Sequence, residues 1–313
     1  MRVLVDKYIP FLQSVLDDFA EVCMLEPEAF TAAAVRDADA LIIRTRTRCD
    51  AALLSGSNVR FIATATIGTD HIDLAYCQSC GIHVMSCPGC NAQAVCDYIE
   101  EAINSQSSIV NSQSSIVNRK SSIGIVGVGH VGSLVAKMAE RRGMHVILND
   151  PPRGLNGDVT ACDIITFHTP LTYDGNYPTY HLCDAAFLAR CKPNALIINA
   201  ARGGVVDEQA LFKSGHPFIL DTWENEPHIN LEVLRKAQLA SCHIAGYSVQ
   251  GKRNASQMCL DGLIAFFGLP ALSINDDILP QGDNTSGWLK RLSDTLKANP
   301  TDFEQIRKNY KLR

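Results

Sequence analysis

The sequence predicts an α/β protein built on a doubly wound parallel sheet, accompanied by a second, smaller α/β domain. Three observations carry this. Short apolar runs of strand length, at residues 3–5, 41–43, 61–65, 123–126, 163–171, 195–199 and 218–221, alternate with stretches of helical spacing. A glycine motif, Gly127-x-Gly129-x-x-Gly132, stands between one such strand and a helical stretch. The length of 313 residues, 46% of them hydrophobic, is enough for two domains with separate cores.

The glycine stretch organises the chain. Residues 123–126 read as a buried strand, residues 131–142 as a helix and residues 145–148 as the next strand, which makes one βαβ unit. The first glycine permits the tight turn, the second lets a pyrophosphate approach the backbone, and the third lets helix pack on strand. Gly127, Gly129, Val131 and Gly132 therefore mark a Rossmann-type dinucleotide site, with the N–H groups of the helix start facing the phosphates. Asp150, eighteen residues after Gly132, is placed to accept from ribose hydroxyls, which favours NAD. Arg153 keeps NADP open, and a purely structural turn is the competing reading of the motif.

Composition narrows the class. A net charge of −5 gives no reason to expect nucleic acid or an anionic membrane as partner, and no apolar run approaches the length of a span. The first residues read as a strand rather than a signal peptide, so the sequence predicts a cytoplasmic protein. Twelve cysteines spread through a chain of this kind are expected to be reduced and mostly buried. Cys77-x-x-Cys80 and Cys87-x-x-Cys90 have zinc-like pair spacing, but only six residues separate the pairs and a strand is predicted between them. The expectation is no metal.

The first half continues with helical spacing at residues 11–19, a helix starting at residues 50–54, and a connecting helix over residues 91–103. There follows an internal repeat, Asn104-Ser-Gln-Ser-Ser-Ile-Val110 and an identical copy at residues 111–117. Ile103, Val110 and Val117 recur every seven residues and would share one face of a helix, but serine, asparagine and β-branched residues are poor helix formers. A duplicated linker is the equal alternative. In the second half, residues 251–267 read as a helix, and residues 288–296 and 303–310 as amphipathic segments.

Ligands of an open parallel sheet bind beyond the carboxyl ends of its strands. Three such ends carry reactive groups: Arg202 in Asn199-Ala-Ala-Arg-Gly-Gly204, Glu226 in Asp221-Thr-Trp-Glu-Asn-Glu-Pro227, and His243 in Ser241-Cys-His-Ile-Ala-Gly-Tyr247. Oxidising an alcohol beside a carboxylate needs a base, a cation for the carboxylate and a hydride acceptor. His243 can serve as base, Glu226 can orient it and favour imidazolium, and Arg202 offers a planar fork for the carboxylate.

Through these motifs and the glycine turn, the sequence resembles the D-2-hydroxyacid dehydrogenases, over the first strand to about Leu269. Further segments, Thr64-Ala-Thr-Ile-Gly-Thr-Asp-His-Ile-Asp73, Pro88-Gly-Cys-Asn-Ala92, Phe167-His-Thr-Pro-Leu171 and His243-Ile-Ala-Gly-Tyr247, are similar to members acting on a phosphorylated 2-hydroxy acid. That resemblance implies that Thr45, Thr66 and Tyr247 contact substrate, and that Asp150, Thr169, Ala200, Asp221 and Gly246 contact the nucleotide. It implies a flavodoxin-like substrate domain at residues 1–98 and 248–270, an NAD-binding domain at 99–247, and a C-terminal dimerisation region at 271–313 that makes a homodimer. A related dehydrogenase, or a dinucleotide-sensing protein without catalysis, is the alternative. Three departures stand out: the stretch from Asp150 to Thr169 is about ten residues short, which removes much of a surface helix, residues 203–218 are also short, and the C-terminus stops early. Finally, Arg44-Thr-Arg-Thr-Arg48 follows a strand. If the backbone stayed extended, its arginines would share one face and its threonines the other. A turn at Arg44 would let Thr45 and at least one arginine meet a phosphorylated substrate, while a solvated basic edge is the competing reading.

Overall fold

The computed structural model describes residues 1–109, 121–275, 285 and 287–313. In chain order the elements of the first half are β1 (Arg2–Asp6), α1 (Gln13–Leu16), β2 (Glu21–Leu25), α2 (Ala32–Val35), β3 (Ala40–Ile43), α3 (Ala51–Leu54), β4 (Phe61–Thr64), α4 (Leu74–Ser79) and β5 (His83–Met85). Then come α5 (Ala92–Ile109), β6 (Ser122–Val126), α6 (His130–Arg141), β7 (His145–Asp150), β8 (Leu155–Asn156), β9 (Ile164–Phe167), α7 (Ala185–Arg190), β10 (Leu196–Asn199) and α8 (Glu208–Ser214). The chain ends with β11 (Phe218–Leu220), α9 (Leu231–Lys236), β12 (Leu239–Ala240), α10 (Val249–Phe267), α11 (Trp288–Ala298) and α12 (Phe303–Lys308).

Two compact units result. One comprises Met1–Asn91 with Ser248–Gln281, the other Ala92–Tyr247 with Gly282–Arg313. The first unit therefore ends before residue 98, because α5 belongs wholly to the second. The C-terminal helices, expected as a separate region, also belong to the second unit: Leu289, Leu296 and Phe303 are buried in its hydrophobic core.

The first unit is a five-stranded parallel sheet in the order β2-β1-β3-β4-β5, the flavodoxin-like order. Its strands are covered on both faces, and successive residues feed opposite cores. Val3, Val5, Ala40, Ile42, Phe61 and Ala63 join α10 residues Cys259, Leu260 and Leu263 in one. Leu4, Leu41, Ile43 and Ile62 join Val35, Leu53 and Leu54 in the other. Except for α1, the helices that cover this sheet start with side-chain caps: for example, Asp50 accepts the N–H groups of Ala52 and Leu53, and Ser248 that of Gly251. Helix α1 is much shorter than residues 11–19, since the chain must already enter β2 at Glu21.

The second unit holds seven strands in the order β12-β11-β10-β9-β6-β7-β8, all parallel except the β7–β8 pair. The order reverses between β6 and β9, which makes the carboxyl ends of these two strands the switch point where ligands bind. No α-helix lies between β7 and β9; two 3₁₀ turns and the two-residue β8 make the crossing instead. The first copy of the seven-residue repeat continues α5 as far as Ile109, where Arg142 donates to Asn104 and Glu100. The second copy lies outside the described residues.

The cysteines are all thiols, and ten are buried, with Cys23 half-buried and Cys80 exposed. The four with zinc-like spacing are dispersed. Cys77 packs in one core of the first unit, Cys87 and Cys90 in the other, and Cys80 faces outward. Among the described residues no three His, Cys, Asp or Glu side chains gather as metal ligands, and no helix is long and apolar enough to cross a membrane.

Docking of the C-terminal helices is part of the second unit's stability. Leu296 is fully buried, Ser293 accepts the Ala240 N–H at 3.0 Å, and the Arg313 guanidinium lies 4.2 Å from the Trp288 ring. Leu296→Ala is expected to lower unfolding free energy by about 2–5 kcal/mol in urea titration, the range for a buried leucine. A loss below about 0.5 kcal/mol would mean that the helix is only loosely applied.

Candidate active site

The turn after β6 is shaped for close approach. Gly127 has φ +86°, and a Cβ there would stand 2.9 Å from the His168 carbonyl; one on Gly132 would stand 2.0 Å from the Gly127 oxygen. Gly129, by contrast, has nothing within 4 Å of its Cβ position. It caps α6 without a side chain, so the first N–H groups of the helix, around Val131, are left for a ligand. The Thr169 hydroxyl beside the turn is buried without a hydrogen-bond partner, and Ala200 is buried at the end of β10. An open cradle, unshared helix N–H groups and an orphan hydroxyl fit a dinucleotide. Burial pushes the neighbouring His168 down to about 3, so that imidazole is neutral.

Asp150, at the end of β7, is 6% exposed, and its Oδ2 accepts both the Val128 N–H and an Arg153 N–H at 2.8 Å. It thus ties the glycine turn to the second strand, with Oδ1 left for a ribose. Arg153, which the sequence offered to a 2′-phosphate, is engaged with the carboxylate instead.

The three reactive side chains come from adjoining loops of this unit. His243 Nδ1 lies 2.8 Å from Glu226 Oε2. A carboxylate only accepts, so Nδ1 carries a proton, and in the neutral imidazole Nε2 is the nitrogen that presents a lone pair. Glu226 is itself fixed, its Oε1 accepting the Trp223 N–H at 2.8 Å. Arg202 is exposed on the turn after β10. The Asn199 side chain sets that turn by donating to the Arg202 carbonyl at 2.9 Å and accepting the Ala201 N–H at 3.1 Å. A Cβ on Gly203 would stand 1.9 Å from the Trp223 carbonyl, so the Arg202 turn lies directly against the Glu226 loop.

The His243 loop is held from below by Asp221, which is 1% exposed. Its Oδ1 accepts the Ser241 hydroxyl at 2.6 Å and the Ile244 N–H at 2.8 Å, and Oδ2 accepts the Ala245 N–H at 2.9 Å. Because Ser241 donates to Asp221, the buried Tyr98 hydroxyl must donate to Ser241, at 2.8 Å. Oδ1 is saturated and Oδ2 keeps one lone pair, the position left for the expected nucleotide contact. Gly246 follows on the same loop, and the Tyr247 hydroxyl accepts from Arg307 Nε of α12 at 3.1 Å.

Thr45 and Thr66 belong to the first unit. The chain does turn after β3, where the Thr47 N–H donates to the Arg44 carbonyl at 3.1 Å and Thr45 is exposed. The three arginines differ. Arg44 makes a forked pair with the fully buried Asp6, at 3.0 and 3.2 Å. Arg48 pairs with Asp50 at 2.8 Å, while Arg46 is exposed on the turn itself. The Thr66 hydroxyl donates to the Gly68 carbonyl at 3.1 Å and stands 2.7 Å from that of Thr64. The sequence reading missed Asp6, Glu208, His181 and Arg307. No motif surrounds them, and only the packing shows that they adjoin Arg44, Glu224 and Tyr247.

The profile of "D-isomer specific 2-hydroxyacid dehydrogenase, NAD binding domain" matches residues 92–245. The chain is 43% identical to the erythronate-4-phosphate dehydrogenase of Bacteroides fragilis, covering 100% of this chain and 97% of that protein. It is 36% identical to that of Cronobacter sakazakii, covering 100% and 92%. The B. fragilis match runs over 340 positions against 313 residues, so much of the length difference falls inside it. In fold it is similar to the NAD⁺-bound 3-phosphoglycerate dehydrogenase of Entamoeba histolytica, with TM-score 0.71, 24% identity and coverage of 88% and 99%. A second likeness is to D-lactate dehydrogenase of Aquifex aeolicus, with TM-score 0.66, 22% identity and coverage of 85% and 96%. The chain belongs to the NAD-dependent D-isomer-specific 2-hydroxyacid dehydrogenases, in the group that includes these erythronate-4-phosphate dehydrogenases.

Proposed function

We propose that this chain oxidises 4-phospho-D-erythronate to (R)-3-hydroxy-2-oxo-4-phosphooxybutanoate in pyridoxal 5′-phosphate synthesis. The observation that carries the mechanism is the His243–Glu226 pair at 2.8 Å. His243 Nε2 takes the hydroxyl proton of the substrate, and Glu226 stabilises the imidazolium that forms. Arg202, exposed and set by Asn199, grips the substrate carboxylate through its fork. NAD, held by Gly127, Gly129, Val131, Gly132, Asp150, Thr169, Ala200, Asp221 and Gly246, supplies the hydride acceptor. Thr45, Thr66 and Tyr247 are the proposed substrate contacts, and Arg46 the cation for the phosphate. The substrate's identity rests on the full-length likeness to the erythronate-4-phosphate dehydrogenases. A cytoplasmic homodimer completes the reading; a monomer's mass by light scattering at micromolar concentration would count against the dimer.

The substrate is tested by NADH formation with 4-phosphoerythronate against a panel of unphosphorylated 2-hydroxy acids. Preference for an unphosphorylated acid would move the chain to another branch of the family. His243→Ala is expected to lower turnover by roughly a hundredfold or more, the loss that follows removal of a positioned base, with NAD affinity nearly unchanged. Near-normal turnover would remove His243 from the chemistry.

The arginines after β3 separate a ligand from a structural partner. Arg46→Gln is expected to raise KM about tenfold for the phosphorylated acid while sparing an unphosphorylated analogue, since a charge-assisted bond is lost. Arg44→Gln is expected instead to destabilise the protein by about 3 kcal/mol in denaturant unfolding, because Asp6 is left buried without its cation and with only the Tyr8 N–H on Oδ1. A KM effect confined to Arg44→Gln, with stability unchanged, would reverse the two assignments.

A further inference from the structure

The loop that carries Glu226 is held by a second set of groups outside the chemistry above. Glu208, the first residue of α8 and 4% exposed, accepts the Glu224 N–H at 2.6 Å. The Glu224 carboxylate lies 2.8 Å from His181 Nε2, and His181 Nδ1 lies 3.7 Å from Asp207 Oδ2, on the residue before Glu208. With the Trp223 carbonyl against Gly203, the Trp223 N–H on Glu226 and the Glu224 N–H on Glu208, three successive backbone groups of the loop are fixed. The last of these is fixed by a side chain that a titration can alter.

We propose that Glu208 is a positioning residue for the Glu226–His243 pair, acting through the Glu224 N–H, and that it does so as the neutral acid. The proposal rests on the reading of Glu226 and His243 given above. A neutral carboxyl keeps the carbonyl oxygen that accepts the N–H and adds no charge beside Glu226. An ionised one accepts as well but repels Glu224, Glu226 and Asp207, so it pushes the loop away from the geometry that orients His243. Burial, reinforced by the charges of those three carboxylates and offset in part by the Glu224 N–H, pushes the Glu208 carboxyl up to about 7. The one imidazole of the cluster, His181, faces Glu224 and Asp207.

The sign for stability follows from linkage. An acid whose folded pKa is raised to about 7 from 4.5 adds stability that is complete below 4.5 and lost as pH rises through about 7. Glu208→Gln keeps the carbonyl acceptor without the titration, and Glu208→Ala removes both. The thermal midpoint of the wild type is expected to fall by a few degrees, relative to Glu208→Gln, between pH 5 and pH 8. At pH 6.5 Glu208→Gln should keep kcat within about twofold, and Glu208→Ala should lose about tenfold with an unchanged NAD dissociation constant, as misplacement of a catalytic group does. From pH 6.5 to pH 9 the ratio of kcat for Glu208→Gln over wild type should rise several-fold. Parallel midpoint–pH curves for wild type and Glu208→Gln, or a Glu208→Gln variant as impaired as Glu208→Ala, would overturn the proposal. If Glu208→Ala does not fold, wild type against Glu208→Gln decides. The midpoint curves need no substrate, so failure of 4-phosphoerythronate as substrate is read separately, and the kinetics then use whichever 2-hydroxy acid is turned over.

Discussion

The catalytic half of this molecule depends on one buried carboxylate. Asp221 directly follows β11 in a place where an unpaired charge would cost several kcal/mol, and it is tolerated there because two backbone N–H groups and the Ser241 hydroxyl turn toward it. Those donors belong to the segment that carries His243, and the His243 N–H itself goes to the Asp221 carbonyl at 2.8 Å. The loop cannot relax without stranding the charge. His243, the proposed general base, is therefore placed by electrostatic necessity through its backbone, while its ring meets Glu226 through Nδ1.

The other two reactive groups are brought in by steric exclusion. Gly203 admits the Trp223 backbone to within a distance no side chain would allow, and Asn199 curls the Arg202 turn back on itself with two hydrogen bonds. The first unit uses the same economy at the end of β1, where buried Asp6 fixes Arg44 and thereby the start of the turn that exposes Thr45 and Arg46. In each case a buried acid or a missing side chain sets a short loop just past a strand.

Much of this was legible in the sequence because it is local. The glycine spacing, the apolar runs of the central strands and the three strand-end motifs each lie within a few residues, and the structure places them on β6, β10, β11 and β12 and the loops that follow. That the helix between β7 and β9 would be cut back was legible as a short count of residues after Asp150, though not that 3₁₀ turns and β8 replace it entirely. Of the edge strands only β5, between the two cysteine pairs, was legible: Glu21-Val-Cys-Met-Leu25 shows no alternation, and β8 and β12 have only two residues each, too few for a period. Nor could the sequence say which arginine after β3 was spoken for, since the Asp6 that engages Arg44 is 38 residues away. Glu208 was hidden for a related reason. An acid that opens a helix reads as a solvated one until the loop packed over it removes the water.

The short crossing after β7 also governs how the sheet ends. A doubly wound sheet normally continues outward in full parallel strands, and a chain that drops the covering helix would leave a long row of unpaired N–H and C=O groups at its rim. Here the rim is a two-residue antiparallel strand, held by the Asn149 side chain on the Gly157 carbonyl and closed off by the tight turn at Pro151–Arg153. Such a stub offers too few groups in register for another chain to add to it. Losing the helix has therefore left the sheet shorter at that side without making it adhesive.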